Sequence, residues 1–392
     1  MTALLITGIG ELTTNEPALG TLSDAAVVLD GQRVAWVGAA AEAPPADARF
    51  DAGGRAVLPG WVDAHTHLVF AGDRTAEFTA RMAGEPYSAG GIAVTVAATR
   101  SASDAGLASN LARLAHEARM QGTTYLETKT GYGLTVADEA RSARIAASVA
   151  DEVTFLGAHI VPEGVSGEEY VIEVTGPMLD AVSGHVQWVD VFCERGAFGE
   201  QDAETVLLAA AERGLGTRVH GNQLGHGPGI QLAVRHGAAS VDHCCYATDA
   251  DTEALASSWR DGRAGTVATV LPACDLSTKG PLAPARRLWD AGAVVALATN
   301  ANPGSSYTTS MAFCVATAVL QLGLSVEEAV WAATRGGAKA LRADTGDGAV
   351  GVLRPGARAD VHVLDAPSIT HLAYRPGVPL TWAVWRSGER VR

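Results

Sequence analysis

Two histidines separated by one residue, in the segment Val62-Asp63-Ala64-His65-Thr66-His67-Leu68, carry the strongest chemical signal in the chain. An apolar run, Ala56-Val57-Leu58, leads into them through Pro59-Gly60, so the pair reads as the end of a strand. Residues i and i+2 of a strand face the same way, which lets His65 and His67 offer both imidazoles to one cation. A helix would splay them apart. On its own such a pair also fits a solvated strand. Further ligand-type residues, however, close other short apolar runs: His159, Glu194, His220, His243 and Asn300. Any one of them alone reads as an ordinary structural residue; converging on one rim, they describe a metal site.

Neutral imidazoles from His65, His67 and His220 suit one divalent ion, zinc or iron, with a coordination position left for water. Such an ion lowers the pKa of water from about 16 towards neutrality. His243 is suited to hold the attacking water or a developing oxyanion. Asp242, beside it, reads as pointing to the opposite face of its strand, with a structural role. No pattern for a second metal accompanies these residues, so one ion is expected.

The elements that must bring these residues together alternate. Segment 107–121 reads as a helix and Thr123–Lys129 as a strand; 139–149 as a helix and 153–159 as a strand. Then follow strand 186–194, helix 203–213, strand 217–220, helix 229–236 and strands Ser240–His243, 264–271 and 294–300. Alternation of this kind implies a parallel sheet with crossover helices. About eight units close most economically into a (β/α)8 TIM-like barrel, whose active site lies at the C-terminal ends of its strands. An open doubly wound sheet is the runner-up, but no Gly-x-Gly-x-x-Gly turn follows an early strand. Both chain ends are β-rich: 3–7, 26–29 and 33–37 around an Asp30-Gly31 turn, then 359–365 and Thr381–Arg386. The expected organisation is a small β-sandwich-like domain from residues 1–57 and 346–392, with the barrel, 58–345, inserted between them.

The 392 residues are 47% hydrophobic and 18% charged, a composition that folds. The formal charge of −14 argues against nucleic acid and anionic membrane as partners, while a local cationic group can still hold a small anion. Five cysteines (Cys193, Cys244, Cys245, Cys274 and Cys314) form no CxxC pair, so free thiols in a reducing compartment are expected. With no secretory signal and no bilayer-spanning run evident, cytoplasmic location is the default expectation.

Longer blocks carry a resemblance. They are His65-Thr66-His67-Leu68-Val69-Phe70-Ala71-Gly72-Asp73-Arg74 with Glu77-Phe78 behind it, Gly90-Gly91-Ile92, Lys129-Thr130-Gly131-Tyr132-Gly133-Leu134, Phe155-Leu156-Gly157-Ala158-His159, Phe192-Cys193-Glu194 and Asn302-Pro303-Gly304-Ser305. Together they resemble the amidohydrolase superfamily and, within it, the imidazolonepropionase family. His-x-His marks only the superfamily; the Phe-Ala-Gly-Asp-Arg and Lys-Thr-Gly-Tyr-Gly-Leu blocks are far more specific. The resemblance implies a hydrolase that opens 4-imidazolone-5-propanoate to N-formimino-L-glutamate in histidine degradation. It implies His65, His67 and His220 as metal ligands, Arg74, Tyr87 and Tyr132 as substrate contacts, and His159 as a pocket histidine. Arg74 then takes the propionate in a bidentate fork, and Asn302 and Gly304, past the last strand, complete the substrate site. Without the resemblance, Arg74 reads as a solvated charge and the two tyrosines as core. The implied partner is a small anionic imidazolone, and a homodimer is the expected assembly.

Two positions depart from the superfamily pattern. Its eighth strand ends in an aspartate that touches the metal and accepts a proton; here Val294-Val295-Ala296-Leu297-Ala298-Thr299 ends in Asn300. An amide oxygen can ligate a cation but is not basic, and losing a general base costs about 10²–10⁴-fold in rate. Gln223, three residues after His220, stands where some relatives carry a glutamate, leaving His243 as the obvious proton acceptor. Asn300 and Gln223 motivate one alternative, an impaired protein that binds substrate without turnover. Another is a nucleobase-type aminohydrolase, against which the arginine counts, since nucleobases carry no carboxylate.

Overall fold

The computed structural model describes residues 3–85, 91–262 and 264–392. Eight strands form one sheet in simple chain order: β1 (Trp61–Asp63), β2 (Thr123–Lys129), β3 (Glu152–Ala158), β4 (Trp188–Cys193), β5 (Gly216–Gly221), β6 (Ser240–His243), β7 (Val267–Val270) and β8 (Val295–Leu297). Pairings from β2 through β8 are parallel. These strands are buried along almost their whole length, as strands covered on both faces must be. The chain just beyond β1 closes the ring. Asn300 N–H donates to His65 O and His67 N–H to Ala301 O, both at 2.9 Å, while Lys129 N–H donates to Thr66 O at 2.8 Å. The closed barrel expected from the alternation is thus the one that forms, and the open sheet is not.

A second eight-stranded sheet comes from the chain ends. Leu4–Thr13, Thr21–Asp30, Arg33–Ala39, Ala48–Asp51 and Ala56–Pro59 join Val361–Leu364, Thr381–Arg386 and Glu389–Arg390. The two ends meet where Ala56–Pro59 pairs antiparallel with Val361–Leu364. The Asp30↔Arg33 pairing confirms the short hairpin read from Asp30-Gly31. Ile6, Ile9, Leu12, Val27, Leu29, Val34, Val361, Val363 and Trp385 make its apolar core. The chain forms two compact units. One comprises Met1–Asp63, His116–Tyr125 and Ser310–Arg392, and the other Ala64–Ala115 and Leu126–Thr309. All five cysteines are free thiols. No helix among the described residues is long and apolar enough to cross a membrane.

Within the first unit, His362 is a buried histidine unconnected with chemistry. Its ring meets Trp61 edge-on at 5.2 Å, and its Nε2 lies 3.1 Å from Thr381 Oγ1. Burial pushes its pKa down from 6.5 to about 3, so the folded chain holds it neutral. Between these values only the unfolded chain takes up the proton. Its contribution is intact above pH 6.5 and is lost as the pH falls, by about 1.4 kcal/mol per unit. His362→Gln, which keeps a donor for Thr381 but cannot titrate, should therefore lose roughly 2 kcal/mol less stability than the parent between pH 6.5 and pH 5. Urea unfolding at the two pH values checks this; parallel pH dependences would contradict it.

Candidate metal centre

Every residue of the site belongs to the second unit. The barrel brings His65 and His67, His159 after β3, His220 on β5, His243 at the end of β6 and Asn300 after β8 to one rim. Ring centroids lie 5.1 Å apart for His65 and His67, 4.5 Å for His65 and His220, and 5.5 Å for His67 and His220. His243 sits 5.7 Å from His65 and 5.4 Å from His220. One nitrogen from each of His65, His220 and His243 lies within 4.8 Å of the others. His65 Nε2 and His67 Nε2 are 3.2 Å apart. Metal–nitrogen bonds near 2.0–2.1 Å place two ligands of one ion roughly 3–3.4 Å apart, so this spacing fits a shared cation.

Beneath the imidazoles lies a layer of buried charge. His65 Nδ1 is 2.6 Å from Asp242 Oδ2, and His220 Nδ1 is 3.0 Å from Asp190 Oδ2. The Asp242 carboxylate holds the proton on His65 Nδ1 and leaves its Nε2 lone pair for a ligand, and the Asp190 carboxylate faces His220 Nδ1. Lys129 Nζ ties the carboxylates together, 2.9 Å from Asp190, 3.0 Å from Glu127 and 3.8 Å from Asp242. Arg218 adds a contact to Asp242 at 3.2 Å and donates to Ala64 O at 2.6 Å. Three carboxylates against two cations leave one negative charge in excess. Burial alone would push Asp242 and Asp190 up; for Asp242 Arg218 and His65 outweigh it, for Asp190 His220 and Lys129 do, and both are held ionised. Burial drives the imidazoles the other way: His65 down to about 3, His159 to about 4, His67 and His243 well below the usual range. Neutral lone-pair donors above a net-anionic floor make a site suited to a cation.

Asn300 supplies an oxygen at this rim. Its φ of 52° is left-handed, a conformation asparagine and aspartate tolerate better than most residues. Its Nδ2 lies 3.5 Å from Ser305 Oγ, while Oδ1 is buried without a donor among the described residues. An orphaned acceptor here fits a ligand atom. Asn302 is engaged differently, donating to Asn300 O at 2.6 Å and Ser305 Oγ at 2.9 Å and accepting from Gly304 and Ser305 N–H, both at 2.8 Å. It organises the turn after β8 while lining the pocket.

The pocket above this rim is lined by His67, Arg74, Ile92, Tyr132, His159, Phe192, His220, Gln223, His243, Asn300, Asn302 and Ser305. Tyr132 sits on a loop fixed by one carboxylate. The buried Glu139, on helix α1 (Val136–Ala147), accepts N–H groups from Gly131 at 3.0 Å, Gly133 at 2.7 Å and Leu134 at 2.8 Å. His159 donates from Nδ1 to Gly131 O at 2.9 Å, which turns Nε2 to the pocket. Gln223 takes its position from Glu194, whose buried carboxylate accepts the N–H of Gln223 and, at 3.3 Å, of Leu224. Gly304 lies against the Arg74 guanidinium. Tyr87 falls outside the described residues.

Sequence reasoning misplaced Asp242, which is hydrogen-bonded to His65 rather than merely structural, and missed Glu127, Asp190 and Arg218 altogether. It also missed Ile92, Ser305 and Cys274, the last 3.8 Å from Gln223 Nε2. Charged residues inside otherwise apolar strands were the available signal for the floor.

A parallel barrel with imidazoles converging at its strand ends describes the class, and a family model bears this out. The model of the amidohydrolase family matches residues 56–383. Proteins named imidazolonepropionase are 68% identical in Saccharopolyspora erythraea, over 391 residues covering 100% of this chain and 99% of that one, and 60% identical in Micrococcus luteus, over 402 residues covering 100% of both. The chain belongs to the amidohydrolase family and, within it, to the imidazolonepropionases. Solved structures sharing the fold include an atrazine chlorohydrolase from Arthrobacter aurescens complexed with zinc, with a TM-score of 0.72, 19% identity, and coverage of 99% of this chain and 94% of that one. A zinc-bound adenosine deaminase from Xanthomonas campestris has the same score and identity, over 99% of this chain and 92% of that one. At such identities the likeness concerns the fold.

Asp242→Asn keeps the shape but removes the charge that orients His65. Chelator competition should find divalent-metal affinity reduced by about 10–100-fold; affinity equal to the parent's would show that the contact does not tune the site.

Proposed function

We propose that this chain hydrolyses the cyclic amide 4-imidazolone-5-propanoate to N-formimino-L-glutamate. The observation that carries the reading is the presence in one pocket of converging imidazoles and a buried arginine, Arg74, whose Nη1 has no partner among the described residues. The names of its relatives point the same way. His65, His67 and His220, with Asn300 Oδ1, are the residues to hold one divalent ion, and imidazole ligands suit zinc or iron. Bound there, the ion supplies Lewis acidity towards the ring carbonyl and the attacking water.

The chain's own residues do the rest. Arg74 takes the propionate, which fixes the ring over the histidines. His159 and Tyr132 border the ring, with the His159 ring 5.5 Å from that of Tyr132. His243, kept neutral by burial, accepts the proton that water loses as its oxygen bonds to the ring carbonyl carbon. The same imidazole returns that proton to the ring nitrogen as the C–N bond breaks, so water is added across the amide. Gln223 and Asn300 orient polar groups without moving protons. Free thiols throughout agree with a cytoplasmic setting.

Loss of the imidazolone ring absorbance, followed on a sample of known metal content, tests this reading. Turnover that disappears on chelation and returns with zinc or ferrous ion is expected. Turnover that survives complete metal removal, or none at any loading, would overturn it. Asn300→Asp, which restores a basic ligand, is expected to hold or raise kcat; an Asp form markedly slower than the parent refutes the role given to residue 300.

A further inference from the structure

Arg74 is not held by the pocket alone. It stands at the N-cap of the helix Thr75–Met82, and Glu77 and Arg81 follow at i+3 and i+7, on the same helical face. Glu77 grips the side of the guanidinium: Nε donates to Oε2 and Nη2 to Oε1, each at 2.7 Å. Arg81, 2% exposed, reaches Glu77 Oε1 at 3.4 Å from its other side. Arg81 is itself anchored, donating to Ser277 O at 2.7 Å, Ser277 Oγ at 3.1 Å and Gly304 O at 3.0 Å.

Two glycines complete the slot. A Cβ on Gly91 would run into Arg74 Nη2 and Glu77 Oε2, and one on Gly304 into Arg74 Nη1 and Cζ. The guanidinium therefore lies between two bare backbones with its side edge occupied. Its three remaining N–H groups, both on Nη1 and one on Nη2, have no partner among the described residues, and Arg74 lines the pocket. An arginine gripped along one edge presents the other edge in the geometry that a carboxylate fork needs.

We propose that Glu77 is a positioning residue which, braced by Arg81, holds the free edge of Arg74 ready for the carboxylate tail of the substrate and thereby sets selectivity for an anionic over a neutral tail. The proposal rests on the reading of the site as an imidazolone-propanoate hydrolase. Two guanidinium groups and one carboxylate leave a net positive charge, which an incoming carboxylate neutralises. Removing the charge of Glu77 does not simply strengthen attraction for an anion. It leaves Arg74 and Arg81 as unbridged like charges, so Arg74 is pushed out of its slot and must be ordered again at each binding event.

The test uses the metal-loaded full chain and Glu77→Gln. Glu77 is half-buried at 32% side-chain exposure, so the substitution is a mild one for folding. Two probes whose ring is an imidazole and carries no cyclic amide are compared by competitive inhibition: 3-(imidazol-4-yl)propanoate and its primary amide. The parent should prefer the carboxylate by roughly tenfold or more, and Glu77→Gln should cut that preference about three- to tenfold by weakening carboxylate binding alone. With the substrate itself, KM should rise by a similar factor while kcat stays within about threefold. Arg81→Lys, which keeps the charge but loses the fork to Ser277 and Gly304, should shift the same ratio in the same direction. An unchanged ratio in both variants, tighter carboxylate binding in Glu77→Gln, or a loss confined to kcat overturns the proposal. Parent protein that binds the carboxylate selectively but turns over no imidazolone would refute the hydrolase reading and leave the frame standing. Parent protein with no carboxylate preference would refute the frame.

Discussion

A buried lysine bonded to buried carboxylates is the interaction on which this site depends. Lys129 Nζ reaches Glu127, Asp190 and Asp242 at the bottom of the rim, each of them sealed from solvent. Uncompensated, any one of these charges would be too costly to bury; together they are tolerable because each is paired. The arrangement also has a direction. Asp242 accepts from His65 Nδ1, and Asp190 faces Nδ1 of His220 at 3.0 Å. The charge layer thus fixes the tautomer and tilt of His65, sets a carboxylate beside His220, and leaves a net negative potential beneath four imidazoles. Removing one member shifts the charge balance of all the others, so the layer acts as a unit.

Barrel closure supplies the remaining geometry. The strand end that carries His65 and His67 bonds on one side to Lys129 and on the other to Asn300 and Ala301. The same backbone hydrogen bonds that close the ring therefore bring the imidazole pair, the lysine and the residue-300 amide together. Strand ends here leave the extended region: His243 has φ 82°, Cys244 59° and Asn300 52°. Such conformations are uncommon for side-chain-bearing residues and gather at functional sites, where turning the chain aims a side chain into the pocket.

Much of this was legible in the sequence, for identifiable reasons. The period-2 rule places His65 and His67 on one side, and strand–helix alternation counts out a barrel. The ends of the apolar runs mark the rim. The same alternation misreads Asp242, because it assumes extended geometry through His243, whereas His243, the last residue of β6, already turns to φ 82°. Glu127, Asp190 and Arg218 were hidden because a charged residue in a strand is normally read as solvent-facing, while both faces of these strands are covered. Helix α1 starts at Val136, earlier than apolar periodicity suggests, because Thr135 caps it by accepting the Asp138 N–H, a polar signal that periodicity ignores. Arg74 needed the resemblance, since nothing in composition separates a slotted arginine from a solvated one; its i+3 and i+7 partners, read as one face, would have hinted at it.

The central claim is that the rim is a place for one divalent cation. Anomalous diffraction from crystals of the chain grown with zinc, collected on both sides of the zinc edge, examines that claim directly. The account expects one strong peak within bonding distance of His65, His67 and His220 and next to Asn300 Oδ1. A map without a peak among these imidazoles, in crystals that hold zinc elsewhere, would contradict it.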